Sequence, residues 1–128
     1  MKVEHIALAS NTKKESDRFF IKLLGLLEKR DFTVSAELMR VFFGIDKDQR
    51  VIRYGNEELD IEVFITDDDT RTSDLFTHCC LIVKNRDKIV ENATLMDYKV
   101  VKVPRKDNDN YYLFIKDKFG NLYEIKSQ

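Results

Sequence analysis

Hydrophobic and polar positions in the first half of the chain predict one short supersecondary unit. A strand is predicted over residues 3–9, and residues 10–12 then offer helix-capping side chains, with Glu15 three positions after Thr12. Phenylalanine and leucine recur at helical spacing after this cap, and Gly25 stands where a helix-ending glycine is expected. Three strands are then predicted, and the candidates for them lie at residues 27–34, 38–45, 50–54 and 59–65.

A second unit of the same kind follows a polar segment. Residues 66–74 contain no apolar side chain, so we predict a linker over residues 67–75. This linker separates module one, residues 1–66, from module two, residues 76–128. In module two we predict a strand over residues 76–83, a helix over 85–96, and strands over 99–103, 111–116 and 122–126.

The order strand, helix and three strands therefore occurs twice, which indicates an internal duplication. We predict an α+β fold in which two βαβββ modules form a curved eight-stranded mixed sheet with the helices outside. Two histidines mark the repeat. His5 is the third residue of the first predicted strand, and His78 is the third residue of its counterpart.

Composition narrows the class of protein. The 22 basic and 23 acidic residues give a net charge of −1, which does not favour a nucleic-acid partner. The hydrophobic content of 43% and the charged content of 35% are typical of a compact fold rather than a disordered chain. No apolar run is long enough for a membrane span, and the first residues lack the apolar core of a signal peptide. We therefore expect a single cytoplasmic domain without a membrane partner.

The two cysteines, Cys79 and Cys80, are neighbours in sequence. Adjacent cysteines do not form an ordinary structural disulfide with each other. On a strand they also point to opposite faces, so they cannot chelate one metal ion together. We predict that they are two small hydrophobic residues in a buried strand.

Each module also carries a glutamate, Glu62 or Glu124, which alternates with apolar residues on its last strand. If the modules curve toward a common cleft, these carboxylates converge there with His5 and His78. Two imidazoles and two carboxylates suit a divalent first-row metal, and an octahedral ion would keep two positions open for substrate or water.

Other interpretations of these residues stay open. A single histidine on a strand is more often a hydrogen-bonded structural residue, and a single edge-strand glutamate is more often a solvated one. Three further acidic residues, Glu4, Glu58 and Asp60, could replace the chosen carboxylates. Glu62 is favoured over Asp60 only by its matching place in the repeat.

Three motifs resemble known ones. They are E-H-I-A-L-A followed by F-F-I-K-L-L-G-L, then T-H-C-C-L-I-V, and finally F-I-K-D-K-F-G-N-L-Y-E-I. Together they resemble the vicinal oxygen chelate superfamily, which includes glyoxalase I. The last motif is the most specific, because Asp117, Gly120, Asn121 and Glu124 keep the order and spacing of the closing signature. The resemblance covers essentially the whole chain and implies paired βαβββ modules.

The resemblance implies a ligand set and a chemistry. The family's metal ligands match His5, Glu62, His78 and Glu124, and they imply a divalent ion such as Ni, Zn, Mn or Fe. They also imply a glyoxalase-like lyase or isomerase, in which Glu124 or Glu62 moves a proton of a small-molecule substrate. Single-domain members are usually homodimers, and a site can be built within one chain or across two.

The chain departs from the family pattern in two places. Lys118 replaces the usual proline of the closing signature, and residues 34–59 match nothing in the family. Alternatives therefore remain: an epimerase of the methylmalonyl-CoA type, a dioxygenase, a fosfomycin-resistance thiol transferase, or a non-enzymatic module that binds a drug such as bleomycin. Four arginines could hold an anionic substrate: Arg40, Arg50, Arg53 and Arg105.

Overall fold

Two four-stranded mixed sheets form the framework of the structure, a computed structural model that describes residues 2–128. Each sheet belongs to one of two compact units, which divide between Thr70 and Arg71. In both units the first strand lies at one edge and pairs in parallel with the last strand, and the remaining pairs are antiparallel. The predicted α+β class with two βαβββ modules is confirmed.

The first unit has the strand order β1-β4-β3-β2. A short helix α1 continues directly into a π-helical segment, and a second helix, α2, lies between β2 and β3. The bounds are β1 Ile6–Ser10, α1 Lys13–Ser16, the π-helical segment Asp17–Leu23, β2 Leu27–Val34, α2 Ala36–Phe43, β3 Gln49–Gly55 and β4 Asp60–Ile65.

The first helix begins and ends as its sequence predicts. Thr12 accepts a hydrogen bond from the backbone N–H of Glu15 at 3.2 Å, and Gly25 ends the helical segment with φ of +73°. The buried ring of Phe20 stacks on Tyr54 of β3, with the ring centroids 5.1 Å apart. This helix therefore covers the apolar face of the first sheet.

The strand predicted over residues 38–45 is wrong, because these residues lie largely in helix α2. A short apolar run fits a buried strand and a helix about equally well, so periodicity alone does not separate them. The local signals at the two ends favour the helix. Ser35 caps it by accepting from the N–H of Leu38 at 3.4 Å, and Gly44 ends it in the left-handed conformation with φ of +70°.

The second unit has the strand order β5-β8-β7-β6. Its helix begins after Asn85, whose side chain accepts from the N–H of Lys88 at 2.9 Å. The bounds are β5 His78–Val83, α3 Arg86–Leu95, β6 Lys99–Pro104, β7 Tyr111–Lys116 and β8 Leu122–Ser127. No helix within residues 2–128 is both long enough and apolar enough to cross a membrane.

The prediction for the cysteines is partly wrong. Both are free thiols, as expected, but Cys80 is exposed and Cys79 is only partly buried. The reason is that one face of β5 is uncovered, because the alternate residues His78, Cys80 and Ile82 are all exposed. An apolar sequence is therefore not enough to bury this strand on both faces.

Candidate metal centre

Glu62 and Glu124 occupy the same place in their two sheets. Each is the third residue of the last strand of its unit, and their partners on the first strands are Ala7 and Cys80. Two residues before these partners lie His5 and His78. Since residues two apart on an extended segment share a face, the register brings each histidine beside its glutamate.

The start of each first strand differs slightly from the prediction. His5 lies one residue before β1, and His78 is the first residue of β5, so neither is the third residue of its strand. Both strands begin later than their apolar pattern suggests. His5 and His78 therefore still occupy equivalent places in the two units.

The two histidine–glutamate pairs have similar geometry. The distance from Nε2 of His5 to Oε2 of Glu62 is 3.4 Å, and the distance from Nε2 of His78 to Oε2 of Glu124 is 3.9 Å. The imidazole side chains are 35% and 39% exposed, and the carboxylate side chains are 15% and 17% exposed. Each pair is thus sheltered but open to a small ligand.

The other ring nitrogen of each histidine contacts neighbouring polar groups, and for His5 one of these is a donor, Nη2 of Arg53, 3.2 Å from Nδ1. Nδ1 of His78 lies 2.8 Å from the carbonyl oxygen of Phe76, and Nδ1 of His5 contacts the carboxylate of Glu4. Hydrogen bonds from His5 and from Arg53 lower the pKa of Glu4, so this carboxylate is ionised and can only accept. A proton on Nδ1 leaves the Nε2 lone pair available, as in histidines that bind metals.

A cation holds the other oxygen of each glutamate. Nη2 of Arg53 donates to Oε1 of Glu62 at 2.8 Å, and Nζ of Lys126 lies 3.4 Å from Oε1 of Glu124. The hydrogen bonds to Glu62 and then to Glu4 raise the pKa of Arg53. In both pairs, therefore, Oε1 meets a cation while Oε2 meets the imidazole.

The two pairs differ in the residue across the sheet from the glutamate. Arg53 of β3 is opposite Glu62, whereas Phe114 of β7 is opposite Glu124. The ring of Phe114 packs edge-on against His78, with centroids 5.7 Å apart. The sequence indicated Arg53 only as a possible anion-binding residue and gave Phe114 no role, although both lie within predicted strands.

The arginines proposed as anion-binding residues already contact other side chains. Arg53 contacts Glu4, Asp60 and Glu62. Among the others, Arg50 pairs with Asp31 at 2.7 Å, Arg40 pairs with Asp46 at 3.2 Å, and Arg105 lies 4.4 Å from the ring centre of Tyr112.

Each pair has the spacing of two neighbouring ligands of one metal ion. Metal–ligand bonds of about 2.1 Å put neighbouring ligands of an octahedral ion about 3 Å apart, close to the 3.4 Å and 3.9 Å measured here. Imidazole and carboxylate donors suit Mn, Fe, Ni or Zn. Across residues 2–128, no group of three or more potential ligands is found together.

The neighbouring thiols are poor candidates for ligands. Burial raises the pKa of Cys79 to about 11, and burial followed by the charge of Glu124 raises the pKa of Cys80. Both thiols are therefore protonated at neutral pH, whereas metals bind the thiolate.

Comparison with known proteins establishes the fold. No family model and no curated protein matches this chain. A glyoxalase family protein of Enterococcus faecalis matches with a TM-score of 0.71 and 15% identity, over 97% of this chain and 95% of that one. A glyoxalase family protein of Bacillus cereus matches with a TM-score of 0.74 and 15% identity, over 99% and 93%. This chain has the glyoxalase fold.

A fosfomycin resistance protein has the same fold. FosX of Listeria monocytogenes matches with a TM-score of 0.71 and 14% identity, over 100% of this chain and 93% of that one. Listeria FosX has been crystallised with Mn(II) and sulfate, and a variant of it with Mn(II) and a dihydroxypropylphosphonic acid. These likenesses confirm the fold that the sequence resemblance implies.

Proposed function

We propose that this protein is a metal-dependent enzyme that binds two neighbouring oxygens of a small substrate and moves a proton on it. The ligands would be His5, Glu62, His78 and Glu124, acting together on one Ni, Zn, Mn or Fe ion. The observation that carries this proposal is the duplicated geometry, in which Nε2 of each histidine and Oε2 of each glutamate lie together while Nδ1 and Oε1 are held by other groups.

The bound ion would act as a Lewis acid toward the substrate oxygens and so acidify a neighbouring C–H bond. Glu124 is the better candidate for the general base that accepts this proton and returns it. Its Oε1 meets one lysine at 3.4 Å, whereas Oε1 of Glu62 receives two hydrogen bonds from Arg53, at 2.8 Å and 3.3 Å. Glu62 is therefore the more firmly held of the two.

The carbon to which the proton returns would distinguish the activities. Return to the neighbouring carbon is the glyoxalase reaction, and return to the same carbon is an epimerase reaction. The likeness to FosX supports fosfomycin chemistry as a second candidate. A set of two histidines and two glutamates favours the glyoxalase-like lyase or isomerase instead. A dioxygenase and a non-enzymatic drug-binding module remain alternatives. The cytoplasmic location and the homodimer remain predictions.

Metal binding is the first test. Chelator-treated protein is titrated with Mn(II), Ni(II), Zn(II) and Fe(II) by calorimetry, and the loaded protein is analysed for its elements. We expect stoichiometric metal in the wild type and at least a tenfold weaker affinity for H5A, H78A, E62Q and E124Q, because disturbing even an outer-shell partner costs about 10–100-fold.

Glu91→Gln is the matched control, because Glu91 is an exposed carboxylate on helix α3 and pairs with a surface lysine, Lys88, at 2.9 Å. It should retain wild-type affinity. Absence of stoichiometric metal, together with no shift of the melting temperature on adding any of the four ions, would disprove the proposal.

Activity is then measured on the loaded enzyme with methylglyoxal hemithioacetal, methylmalonyl-CoA, fosfomycin and catechol. Deuterium incorporated from heavy water at the acidified carbon reports the proton transfer itself. Glu124→Gln should abolish this exchange. Light scattering together with the metal content per chain tests the homodimer.

A further inference from the structure

A cavity of about 350 Å³ that is open to solvent lies on the first unit, between helix α2 and one face of the sheet. Most of its wall is apolar, and four polar residues complete it. The apolar lining is Ala7, Leu8, Ala9, Met39, Phe43, Ile45 and Phe64, and the polar lining is Lys47, Gln49, Thr66 and Asp68.

The cavity begins beside the first histidine–glutamate pair. Ala7 is the β1 partner of Glu62, and Phe64 follows Glu62 by two residues on β4. Residues two apart on a strand share a face and are about 6.7 Å apart. His5 is two residues before Ala7 and shares this face as well. A molecule held at Oε2 of Glu62 would therefore be one side-chain position away from the cavity, on the same face of the sheet.

The residues that form this cavity differ from those at the equivalent positions of the second unit. The cavity floor has the small side chains Ala7 and Ala9, whereas the same register positions of β5 hold Cys80 and Ile82. Its roof is helix α2, and in the second unit no helix lies between β6 and β7.

Helix α2 contacts the sheet through two of its side chains. Met39 is buried, and the ring of Phe43 packs edge-on against Phe64 with centroids 5.5 Å apart. The two histidine–glutamate pairs therefore have similar geometry, but the residues that surround the space beside each pair differ.

We propose that this cavity receives the apolar body of the substrate whose neighbouring oxygens are held at the His5–Glu62 pair. The inference rests on the proposed function and narrows its substrate class to a small compound with an aromatic or branched aliphatic group beside two vicinal oxygens. A cavity of about 150 Å³ binds benzene, so 350 Å³ accommodates a substituted ring. The volume lies at the lower end of the range for ligand pockets, so bulkier groups would remain outside.

The first arm of the test uses metal-free protein and toluene, followed by NMR of the methyl and amide groups of the first unit. Toluene should bind the wild type and perturb Met39 and Ala9. Ala9→Leu should remove this binding by filling the cavity. The control is Ile82→Leu, the equivalent register position in the second unit, which should bind toluene as the wild type does.

The second arm uses Mn(II)-loaded protein with acetohydroxamate and benzohydroxamate, which present the same vicinal oxygens with a methyl or a phenyl group. The wild type should bind benzohydroxamate at least about tenfold more tightly, because the ring leaves water. Ala9→Leu should bind the two hydroxamates with nearly equal affinity and leave Mn(II) affinity unchanged. If that variant does not fold, Phe43→Ala provides the second test. Because it widens the cavity, it should bind a naphthyl hydroxamate more tightly, relative to acetohydroxamate, than the wild type does.

The outcomes separate this inference from the proposed function. Normal Mn(II) binding with no toluene binding and equal hydroxamate affinities overturns the cavity assignment and leaves the metal site standing. Absence of Mn(II) binding overturns the proposed function and with it chelation at the pair, and the toluene arm then still decides whether the cavity accepts an apolar group.

Discussion

Arg53 donates to Oε1 of Glu62 at 2.8 Å and so leaves Oε2 of the same carboxylate toward His5. The guanidinium also contacts Glu4 and Asp60. It is therefore the central cation of an acidic cluster at the first pair. Its position on β3, directly across from Glu62, results from strand register rather than from any local motif.

Replacing Arg53 with glutamine should lower the free energy of unfolding of the metal-free protein by about 1–2 kcal/mol, because sheltered carboxylates lose their charged donor. Arg50→Gln is the control. Its pair with Asp31 is more exposed, so its loss should cost less than about 1 kcal/mol. Urea unfolding measures both values, and equal losses would contradict the central role of Arg53.

Met39 should anchor helix α2. Its side chain is 1% exposed, whereas Phe42 on the same helix is 62% exposed. We expect Met39→Ala to cost about 2–4 kcal/mol through lost burial and a residual cavity, and Phe42→Ala to change stability by less than about 0.5 kcal/mol. Thermal and urea unfolding of both variants test this, and a small effect at Met39 would argue against the observed packing of α2.

Asp68 should make stability depend on pH in acid. A hydrogen bond from the Thr70 hydroxyl, 2.6 Å long, is the largest of the causes that lower its pKa from 3.8 to about 2. Because the folded pKa is below the unfolded one, the stabilisation is complete above pH 3.8 and is lost as the pH falls through about 2.

Carboxyl NMR titration of Asp68 measures this directly. Thr70→Val removes the hydroxyl donor and should move the midpoint upward toward the ordinary value. Thr70→Ser keeps a hydroxyl and should stay near the wild type. An unchanged midpoint in Thr70→Val would show that the other donors to this carboxylate are sufficient.

Asp117 should organise the turn that leads into β8 and hence to Glu124. Its carboxylate accepts from the backbone N–H groups of Gly120 and Asn121, at 3.0 Å and 2.9 Å, and from the hydroxyl of Tyr123 at 3.1 Å. Burial is the largest cause that acts on this carboxyl and raises its pKa.

Asp117→Ala should therefore cost about 3 kcal/mol, because several buried donors lose their acceptor. Asp109→Ala, in the exposed loop before β7, should change stability by less than about 0.5 kcal/mol. Chemical unfolding gives both numbers, and amide exchange of β8 should accelerate only in Asp117→Ala. A loss below 1 kcal/mol would contradict this role of the turn.

Much of the fold could be predicted from the sequence, because hydrophobic periodicity and capping residues are local signals. Strands β2 and β7 have the predicted bounds, Leu27–Val34 and Tyr111–Lys116, and the cap at Thr12 acts where predicted. The alternation that buries one face of β4 is also confirmed, with Ile61, Val63 and Ile65 inside. Helix α2 was predicted as a strand because a short apolar run fits a buried strand and a helix equally well. Ser35 and Gly44, at its two ends, are the local signals that favour the helix.

The sequence by itself determined the duplication, the βαβββ order and the four candidate ligands, because these depend on periodicity, capping residues and matching places along the chain. Only the tertiary structure decided what surrounds each ligand. Glu4 and Arg53 meet at the first pair, and Phe114 meets His78 at the second, through contacts between strands that are distant in sequence. Such contacts depend on register, and register is fixed by the packing of whole strands rather than by any short segment.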